Sequence, residues 1–259
     1  MVVVSWNVNS IRARHDHVLQ FLQEAQPDVL CLQETKLVDA QFPSEAIATV
    51  GYEHQAFDGQ KAYNGVAILS KHPLEDVQKG HLTHPDPEDK QKRLIRATVN
   101  GVRIFNCYVP MGTAPSSPKF RYKLQWLARL RGELTAHDPS EKVVVCGDLN
   151  VALGELDTWD PFGSDGRILY HPHERKTLER VMAWGLHDTW RHLHPDERAY
   201  SWWDYRAGAF QRNHGFRIDY VLGSKPLLDA CTETMMWRHT RKWKPTASDH
   251  IPVGARFTL

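Results

Sequence analysis

The sequence lacks any apolar run long enough to cross a membrane. Its longest apolar stretches, such as Val66–Leu69 and Val143–Cys146, hold about four residues, whereas a spanning helix needs about 20. The segment Met1–Asn7 has neither a basic start nor a long apolar stretch, so a secretory signal is not indicated. We therefore expect a cytoplasmic protein with no membrane partner.

Cysteine is scarce and widely spaced. The four cysteines include no C-x-x-C pair, and Cys31, Cys107 and Cys146 lie in strand-like apolar runs where buried thiols are common. This pattern indicates reduced, structural cysteines and agrees with an intracellular location. Three H-x-H pairs are the only hint of a zinc site, and no H-E-x-x-H motif accompanies them. Surface or helix-end histidines explain those pairs better.

Several motifs of other enzyme classes are also missing. The sequence has no G-x-S-x-G elbow for a serine nucleophile, and Ser248 precedes an aspartate rather than a strand-to-helix turn. It has neither G-K-[ST] nor G-x-G-x-x-G, so folds that bind nucleotide cofactors lack support. Long Gly/Ser/Pro linkers, repeats and low-complexity tracts are absent as well. With 41% hydrophobic and 24% charged residues, the 259-residue chain is typical of a globular protein, and we expect residues 1–259 to form one domain.

Short β-branched runs alternate with helical stretches. The Val/Ile-rich runs predict strands at Val2–Val8, Val29–Leu32, Gly65–Ser70, Ile95–Val99, Val102–Val109, Lys142–Gly147, Ile218–Gly223 and Val253–Thr258. Helical periodicity predicts helices at Ile11–Ala25, Lys119–Thr135 and His173–Trp184. Some strands follow each other with no helix between them, which disfavours an all-parallel sheet. The pattern favours an α/β fold in which two mixed sheets pack face to face with helices outside.

Polar side chains occur where five of these strands begin or end. Glu34, Asp148 and Asp249 offer carboxylates, and Asn7 and Asn150 offer amide oxygens. In layered sheet proteins ligands gather at strand ends, so these groups are expected to converge on one pocket. Hard oxygen ligands suit Mg²⁺ or Mn²⁺.

A histidine completes this set. His250 follows Asp249, and the carboxylate of Asp219 could hold its ring in one tautomer or keep it protonated, so that it stabilises a phosphate oxygen. The alternative is a turn in which Ser248 and Asp249 bond only to local backbone. The whole set favours metal-assisted hydrolysis of a phosphodiester, with Asp148 orienting and deprotonating the attacking water.

Eight motifs in order along the chain resemble one known family. They are Ser5–Arg14, Leu32–Lys36, Tyr63–Ile68, Asn106–Pro110, Gly147–Asn150, Ser201–Arg206, Arg217–Asp219 and Ser248–Val253. Together they are similar to the exonuclease III type of abasic-site endonuclease, within the endonuclease/exonuclease/phosphatase fold shared with DNase I. The resemblance implies a four-layer α/β sandwich of two packed mixed β-sheets flanked by helices. It also implies a Mg²⁺ cofactor, with Mn²⁺ as a substitute.

The resemblance further implies roles for individual residues. The catalytic residues implied are Tyr108, Asp148, Asn150, Asp219 and His250: Tyr108 contacts the phosphate or assists the leaving oxygen, and Asn150 binds the phosphate and positions the water. Glu34 is implied as the main metal ligand with Asn7 nearby, Asp249 and His250 lie at or near a second site, and Asp148 and Asn150 complete the metal set. The substrate-binding residues implied are Asn9, Tyr63, Asn64, Met111, Trp202, Trp203 and Arg206.

Some of these residues have simpler interpretations. Tyr108 could be an aromatic residue that ends a strand, and Trp202 and Trp203, implied as a wall for an extruded deoxyribose, could be two core tryptophans. Met111 departs from the family, which usually has Gln or Asn there, and a thioether cannot donate a hydrogen bond to phosphate. The segment Asp160–His173 also differs from the best-known bacterial members, at a place where the family has a loop near the abasic sugar.

The expected function is that of a DNA-repair nuclease acting as a monomer on double-stranded DNA with abasic sites or damaged 3′ ends. It would cut 5′ to abasic sites and trim 3′ ends. The alternatives are an enzyme of the same fold acting mainly as a 3′–5′ exonuclease, a phosphoesterase on a small or lipid phosphoester, and a DNA-binding module without activity.

The net charge of +1 conceals an uneven distribution. The segments Lys119–Arg131, Tyr205–Ile218 and Trp237–Pro245 carry 12 of the 32 basic residues, interleaved with aromatic residues, and no Asp or Glu. Each segment alone could be a solvated face. Beside a phosphate site, we predict instead that they form a basic DNA-facing surface whose binding weakens with salt.

Overall fold

Two six-stranded sheets form the centre of the computed structural model, which describes residues 1–83 and 85–259. The strands are β1 Val2–Asn7, β2 Val29–Gln33, β3 His54–Asp58, β4 Val66–Ser70, β5 Glu75–Lys79, β6 Leu94–Val99, β7 Val102–Tyr108, β8 Val143–Asp148, β9 Leu186–Asp188, β10 Asp219–Ser224, β11 Cys231–Met236 and β12 Val253–Phe257. The helices are α1 His15–Ala25, α2 Ser44–Thr49, α3 Pro118–Leu134, α4 Pro161–Ser164, α5 Pro172–Met182, α6 Thr189–Leu193 and α7 Lys225–Asp229. Short 3₁₀ turns lie at Asp39–Gln41, Glu155–Asp157, Arg206–Gly208 and Arg238–Lys242.

Both sheets are mixed. The strand order is β11-β12-β1-β2-β4-β3 in the first sheet and β5-β6-β7-β8-β10-β9 in the second. In each sheet one central pair is parallel, β1 with β2 and β7 with β8, and the other described pairs are antiparallel. The first parallel pair places the ends of β1 and β2 at one sheet edge, and the second does the same for β7 and β8.

Apolar side chains pack in three layers between and outside the sheets. The layer between the sheets includes Val3, Ile68, Ile104 and Val144. Outside the first sheet, α1 covers it through Phe21 and neighbouring apolar residues. Outside the second sheet, α3 and α5 pack through the residues Trp126, Leu130, Leu178 and Val181. The expected four-layer sandwich of two packed mixed sheets flanked by helices is thus confirmed.

A buried polar contact holds the sheets together next to the ends of β2 and β7. Gln33 Nε2 donates to Asn106 Oδ1 at 2.8 Å, and Asn106 Nδ2 donates to the carbonyls of Leu32 at 3.0 Å and Ala67 at 2.8 Å. Both amide side chains are fully buried, so their hydrogen bonds must be made within the protein. This contact fixes the relative position of the segments that carry Glu34 and Tyr108.

The strands that the sequence did not predict are polar or very short. β5 is exposed along its whole length, β9 has three residues, and β3 and β11 each mix polar with apolar residues. The eight predicted strands are present with boundaries shifted by at most one residue, whereas the first predicted helix begins only at His15. All four cysteines are free and buried. No helix within residues 1–83 and 85–259 is long and apolar enough to cross a membrane.

Candidate active site

Strand ends bring the predicted polar residues to one place. Asn7 ends β1, Tyr108 ends β7 and Asp148 ends β8, while Asp219 begins β10. In the second sheet Asp148 is the direct neighbour of both Tyr108 on the parallel strand and Asp219 on the antiparallel strand. Glu34 follows β2, and its φ of 54° turns the backbone at the strand end.

Close contact between β7 and β8 positions Asp148. The preceding Gly147 has φ 138°, and a Cβ there would lie 1.9 Å from the carbonyl oxygen of Cys107. Only glycine allows the two strands to approach this closely. Any larger residue would push apart the strand ends that carry Asp148 and Tyr108.

Glu34, Asp148 and His250 form a compact cluster that could hold a metal ion. One ligand atom from each residue lies within 4.8 Å of the others. Asn7 Nδ2 donates to Glu34 Oε1 at 2.8 Å and to Asp148 Oδ2 at 2.9 Å, and its Oδ1 accepts from the backbone N–H of Asn9. The Asn7 amide therefore holds the two carboxylates close together. Carboxylate oxygens are the donors that hard divalent cations prefer.

His250 is held between two buried carboxylates. Its Nδ1 lies 2.8 Å from Asp219 Oδ2, and its Nε2 lies 3.7 Å from Asp148 Oδ2. Burial alone would lower the pKa of His250, but Asp219 and Asp148 outweigh it and raise that pKa to about 10. In this protonated form His250 Nε2 can donate a hydrogen bond to a phosphate oxygen. The metal ligation that the sequence also predicted for His250 stays a prediction.

For Asp148, the effect of burial on the pKa outweighs that of the neighbouring histidine. Its burial raises the pKa of the carboxyl to about 7, with His250 partly opposing the change and Asp219 adding to it. A carboxylate with such a pKa can accept a proton from water near neutral pH. Its Oδ1 also accepts the backbone N–H of Asn150 at 3.0 Å, which fixes its orientation.

A lysine that the sequence analysis missed connects the two sides of the site. Lys36 Nζ lies 2.8 Å from Glu34 Oε2 and donates to Asn9 Oδ1. Asn9 Nδ2 in turn donates to Asp249 Oδ1 at 2.9 Å, and Asp249 Oδ2 accepts from Trp202 Nε1 at 2.9 Å. The position of Lys36, two residues after the glutamate at a strand end, is the only sequence signal for it.

A backbone turn places Asn150, and hydrogen bonds hold Asp249. Asn150 has φ 52°, and its Nδ2 donates to the carbonyl of Val109 at 2.9 Å. For Asp249, burial would raise the pKa of the carboxyl, but His250 and the hydrogen bonds from Trp202 and Asn9 outweigh this and lower it. Asp249 is therefore ionised, with one hydrogen bond to each oxygen.

A cleft of about 520 Å³ adjoins the cluster at Tyr108. Four predicted residues line it, Tyr63, Asn64, Tyr108 and Met111, together with Arg93. The Arg93 guanidinium lies 4.5 Å from the centre of the Tyr108 ring. Burial raises the pKa of Tyr108, and Glu34 adds to this effect, so the hydroxyl stays protonated.

The two tryptophans predicted as a wall lie in different surroundings. The Trp202 ring is partly exposed beside His250 and Phe216, at centroid distances of 6.4 and 6.1 Å. The prediction that Trp203 contacts substrate is wrong, because its ring is only 1% exposed and packs in the core between the sheets. Arg206 is exposed in a 3₁₀ turn, and no hydrogen bond within the described part of the chain joins its side chain to the cluster.

The basic surface is smaller than the sequence suggested. Lys123 and Arg217 are buried against carboxylates, so the prediction that they face DNA is wrong. The segment Trp237–Pro245 does line an open cleft of about 710 Å³, to which it contributes Arg238, Arg241, Lys242 and Lys244. This segment therefore brings four cations to one cleft, while Lys119, Arg121 and Arg131 of the first segment and Arg206 and Arg212 of the second are also exposed.

These observations first define a class of protein. A carboxylate with a pKa near 7, a protonated imidazole and carboxylate donors suited to a divalent cation meet where the ends of the two packed sheets adjoin, an arrangement that fits hydrolysis of a phosphoester. The family model described as Endonuclease/Exonuclease/phosphatase family matches residues 4–250. The chain belongs to this divalent-metal-dependent family, and it is a nuclease of the exonuclease III type.

Three relatives illustrate the similarity. Exodeoxyribonuclease III of Haemophilus influenzae is 34% identical, with 99% of this chain and 100% of the relative covered. The structure of a 3′ phosphatase, NExo, from Neisseria bound to a product DNA hairpin is 40% identical with a TM-score of 0.94. The structure of an AP endonuclease from Archaeoglobus fulgidus is 38% identical, also with a TM-score of 0.94. Both structures cover 100% of each chain.

Proposed function

We propose that this nuclease is a Mg²⁺-dependent DNA-repair phosphodiesterase. It cuts the backbone 5′ to abasic sites and removes nucleotides or blocking groups from the 3′ ends of duplex DNA. The observation that carries the proposal is the Glu34, Asp148 and His250 cluster, with ligand atoms within 4.8 Å of one another, beside the partly exposed Trp202 ring. Relatives named as an exodeoxyribonuclease, an AP endonuclease and a 3′ phosphatase support these substrates.

Further parts of the proposal concern the protein as a whole. Residues 1–259 act as one domain, the protein is a cytoplasmic monomer, and Mn²⁺ can replace Mg²⁺. The matched range 4–250 and the full coverage of the Haemophilus relative support a single functional unit.

In the proposed reaction Asp148 takes a proton from the water that attacks the scissile phosphorus. Asn7 and the backbone N–H of Asn150 keep this carboxylate in place through hydrogen bonds of 2.9 and 3.0 Å. His250, kept protonated by Asp219, donates to a phosphate oxygen and stabilises the negative charge that develops there. The Tyr108 hydroxyl stays protonated, so it can donate to the phosphate or the leaving oxygen.

The divalent cation would be held mainly by Glu34. Both Glu34 oxygens already have polar partners, Asn7 on one and Lys36 on the other, and a set of carboxylate oxygens fits Mg²⁺ better than zinc. When bound, the cation neutralises charge on the phosphate. Binding it requires Lys36 to give up or share its contact with Glu34.

The extruded sugar would pack on the Trp202 ring. Removing a nucleotide from the stack costs least where the base is already missing, so an aromatic wall at this position favours abasic sites. Trp203 supports that wall only from inside the core. The cleft lined by Tyr63, Asn64 and Met111 would hold the adjoining strand.

An enzyme that acts mainly at 3′ ends is the second candidate. The 40% identity to the Neisseria 3′ phosphatase, over the full length of both chains, favours it specifically. A small or lipid phosphoester has less support, because the cleft beside Trp237–Pro245 is lined by four basic side chains, as a polyanion requires.

The test compares three duplexes in Mg²⁺: one with a single tetrahydrofuran site, one with a recessed 3′ end and one with a 3′-phosphate. We expect cleavage of the first and processing of the other two, and their relative rates rank the activities. An Asp148→Asn variant serves as the control and should bind each duplex without cutting it. Intact strands at stoichiometric wild-type enzyme would contradict the proposal.

A further inference from the structure

Lys123 is an unusual lysine because its whole side chain is buried. It lies on α3 with 0% of the side chain exposed, and its charge faces the equally buried Glu174 of α5 at 2.5 Å. Lysine is seldom fully buried unless it is paired, since desolvating the ammonium costs several kcal/mol. The sequence predicted a solvated or DNA-facing position for this residue. Because Lys123 is buried instead, its role must be a different one.

The ammonium group has a partner for each of its three protons. Besides Glu174, it donates to the carbonyl of Asn150 at 2.6 Å and to the carbonyl of Met111 at 3.3 Å. Its donor capacity is thereby exhausted. Lys123 therefore joins the two loops that leave the ends of β7 and β8.

Both loops carry residues of the proposed site. One loop runs from Tyr108 to Met111, and the other holds Asp148 and Asn150. The left-handed turn at Asn150, with φ 52°, directs the Asn150 carbonyl to Lys123 and the Asn150 N–H to Asp148. A displacement of the Asn150 carbonyl would thus also displace the Asn150 N–H, which holds the Asp148 carboxylate that activates water.

Glu174, the ion-pair partner of Lys123, is itself held in place. Its Oε2 accepts the backbone N–H of His171 at 3.0 Å at the start of α5, so its carboxylate cannot follow a displaced lysine. The ammonium is consequently anchored in the layer of helices outside the second sheet.

We infer that Lys123 is a positioning residue for phosphodiester hydrolysis, one that holds the Asn150 and Met111 carbonyls and so sets the geometry of Asp148 and of the phosphate contacts. This inference rests on the proposed function. The Lys123 side chain is fully buried, so it acts only through the two loops. Its loss should therefore impair the chemical step more than DNA binding, because a displacement of about 1 Å in a reacting group can cost about 10²-fold in rate.

The test replaces the buried pair by neutral residues. In Lys123→Met/Glu174→Gln no buried charge is left unpaired, and Gln keeps an acceptor for the His171 N–H. We expect kcat to fall about 10²-fold on the tetrahydrofuran duplex while KM changes less than about threefold. Each variant is assayed at least about 15 °C below its own Tm, so that unfolding does not contribute.

A second buried pair provides a matched control. Arg96 and Glu133 lie 2.5 Å apart, Glu133 is on the same helix as Lys123, and it also accepts backbone N–H groups, those of Leu82 and Thr83. Arg96→Met/Glu133→Gln should lower Tm to a similar extent but leave kcat within about threefold of wild type. If the Lys123 double variant does not fold, Lys123→Leu/Glu174→Gln takes its place, with the same expected loss of kcat, because Leu also has no donor for the two carbonyls.

The outcomes separate the inference from the proposed function. Equal kcat losses in the two pairs, or a Lys123 variant with wild-type kcat, would overturn the inference. A wild-type protein that leaves all three duplexes intact would instead contradict the proposed function. A loss of kcat confined to the Lys123 pair supports both.

Discussion

Removing Arg217 provides a strong test of how the second sheet is held at the site. Arg217 directly precedes Ile218 and Asp219, is only 1% exposed, and lies over the ring of Tyr220. Its Nε lies 2.8 Å from Asp157 Oδ1, and its Nη2 lies 2.7 Å from Asp188 Oδ2. An Arg217→Met variant keeps much of the apolar stem but leaves both carboxylates without this partner.

The expected loss of unfolding free energy follows from these contacts. Breaking a buried ion pair by removing one partner costs about 3–5 kcal/mol. Arg191 still pairs with Asp157 at 2.8 Å, so we take the lower limit, about 3 kcal/mol. For a chain of this size that corresponds to a Tm lowered by about 6–12 °C.

The loss should also depend on pH. In the wild type, burial acts to raise the pKa of Asp157 but Arg217 and, to a smaller extent, Arg191 outweigh it, so the folded pKa is below the unfolded value. The ionised carboxylate thus adds stability above the unfolded pKa, and this is lost as pH falls through the folded pKa. Without Arg217 the folded pKa rises, and protonation relieves the buried charge. The difference in unfolding free energy between variant and wild type should therefore shrink from pH 7 to pH 4.

Urea unfolding followed by tryptophan fluorescence measures this difference. Arg256→Met is the matched control, because Arg256 also lies 2.8 Å from a carboxylate, that of Glu233, but both side chains are about half exposed. Such a surface pair is worth about 1 kcal/mol at most. The reasoning is refuted if Arg217→Met loses no more than Arg256→Met, or if its loss is the same at pH 4 and pH 7.

Three further predictions concern activity and DNA binding. Glu34→Ala should raise the Mg²⁺ concentration needed for half-maximal cleavage, and a metal titration that overlays the wild-type curve would contradict this. His250→Ala should lower kcat by about 10²-fold or more, because the proton donor to phosphate is lost; unchanged turnover at saturating DNA argues against that role. Lys242→Gln, in the basic segment Trp237–Pro245, should reduce the slope of log Kd against log salt by about 1. Lys225→Gln, at the other end of β10, is the control and should leave the slope unchanged.

The strands that were predicted correctly have a clear apolar pattern in the sequence. Strands such as β1 and β8 are buried on both faces and appear as continuous Val-rich runs. The acidic residues at two strand ends, Glu34 after β2 and Asp148 in β8, indicated the cluster. β5 was not predicted because all its residues are exposed and a polar edge strand has no apolar pattern.

Burial of individual side chains was harder to predict, because tertiary packing decides it. Neighbouring residues in extended backbone point to opposite sides, so of Trp202 and Trp203 one faces the site and the other enters the core. Lys123 is a lysine on a helix, a residue type that usually lies on the surface. It can be buried only because Glu174 and two loop carbonyls pair with its ammonium group. Such partners are distant in sequence and have no local pattern.

The backbone at Glu34 and Asn150 sets a limit on how stable this protein can become while remaining active. Both residues have positive φ, 54° and 52°, a conformation that costs a residue with a side chain roughly 1 kcal/mol or more and that glycine adopts freely. Glycine at either position would relax the turn but delete a carboxylate or an amide from the site. The strain at both turns is therefore retained because the site needs the carboxylate of Glu34 and the amide of Asn150.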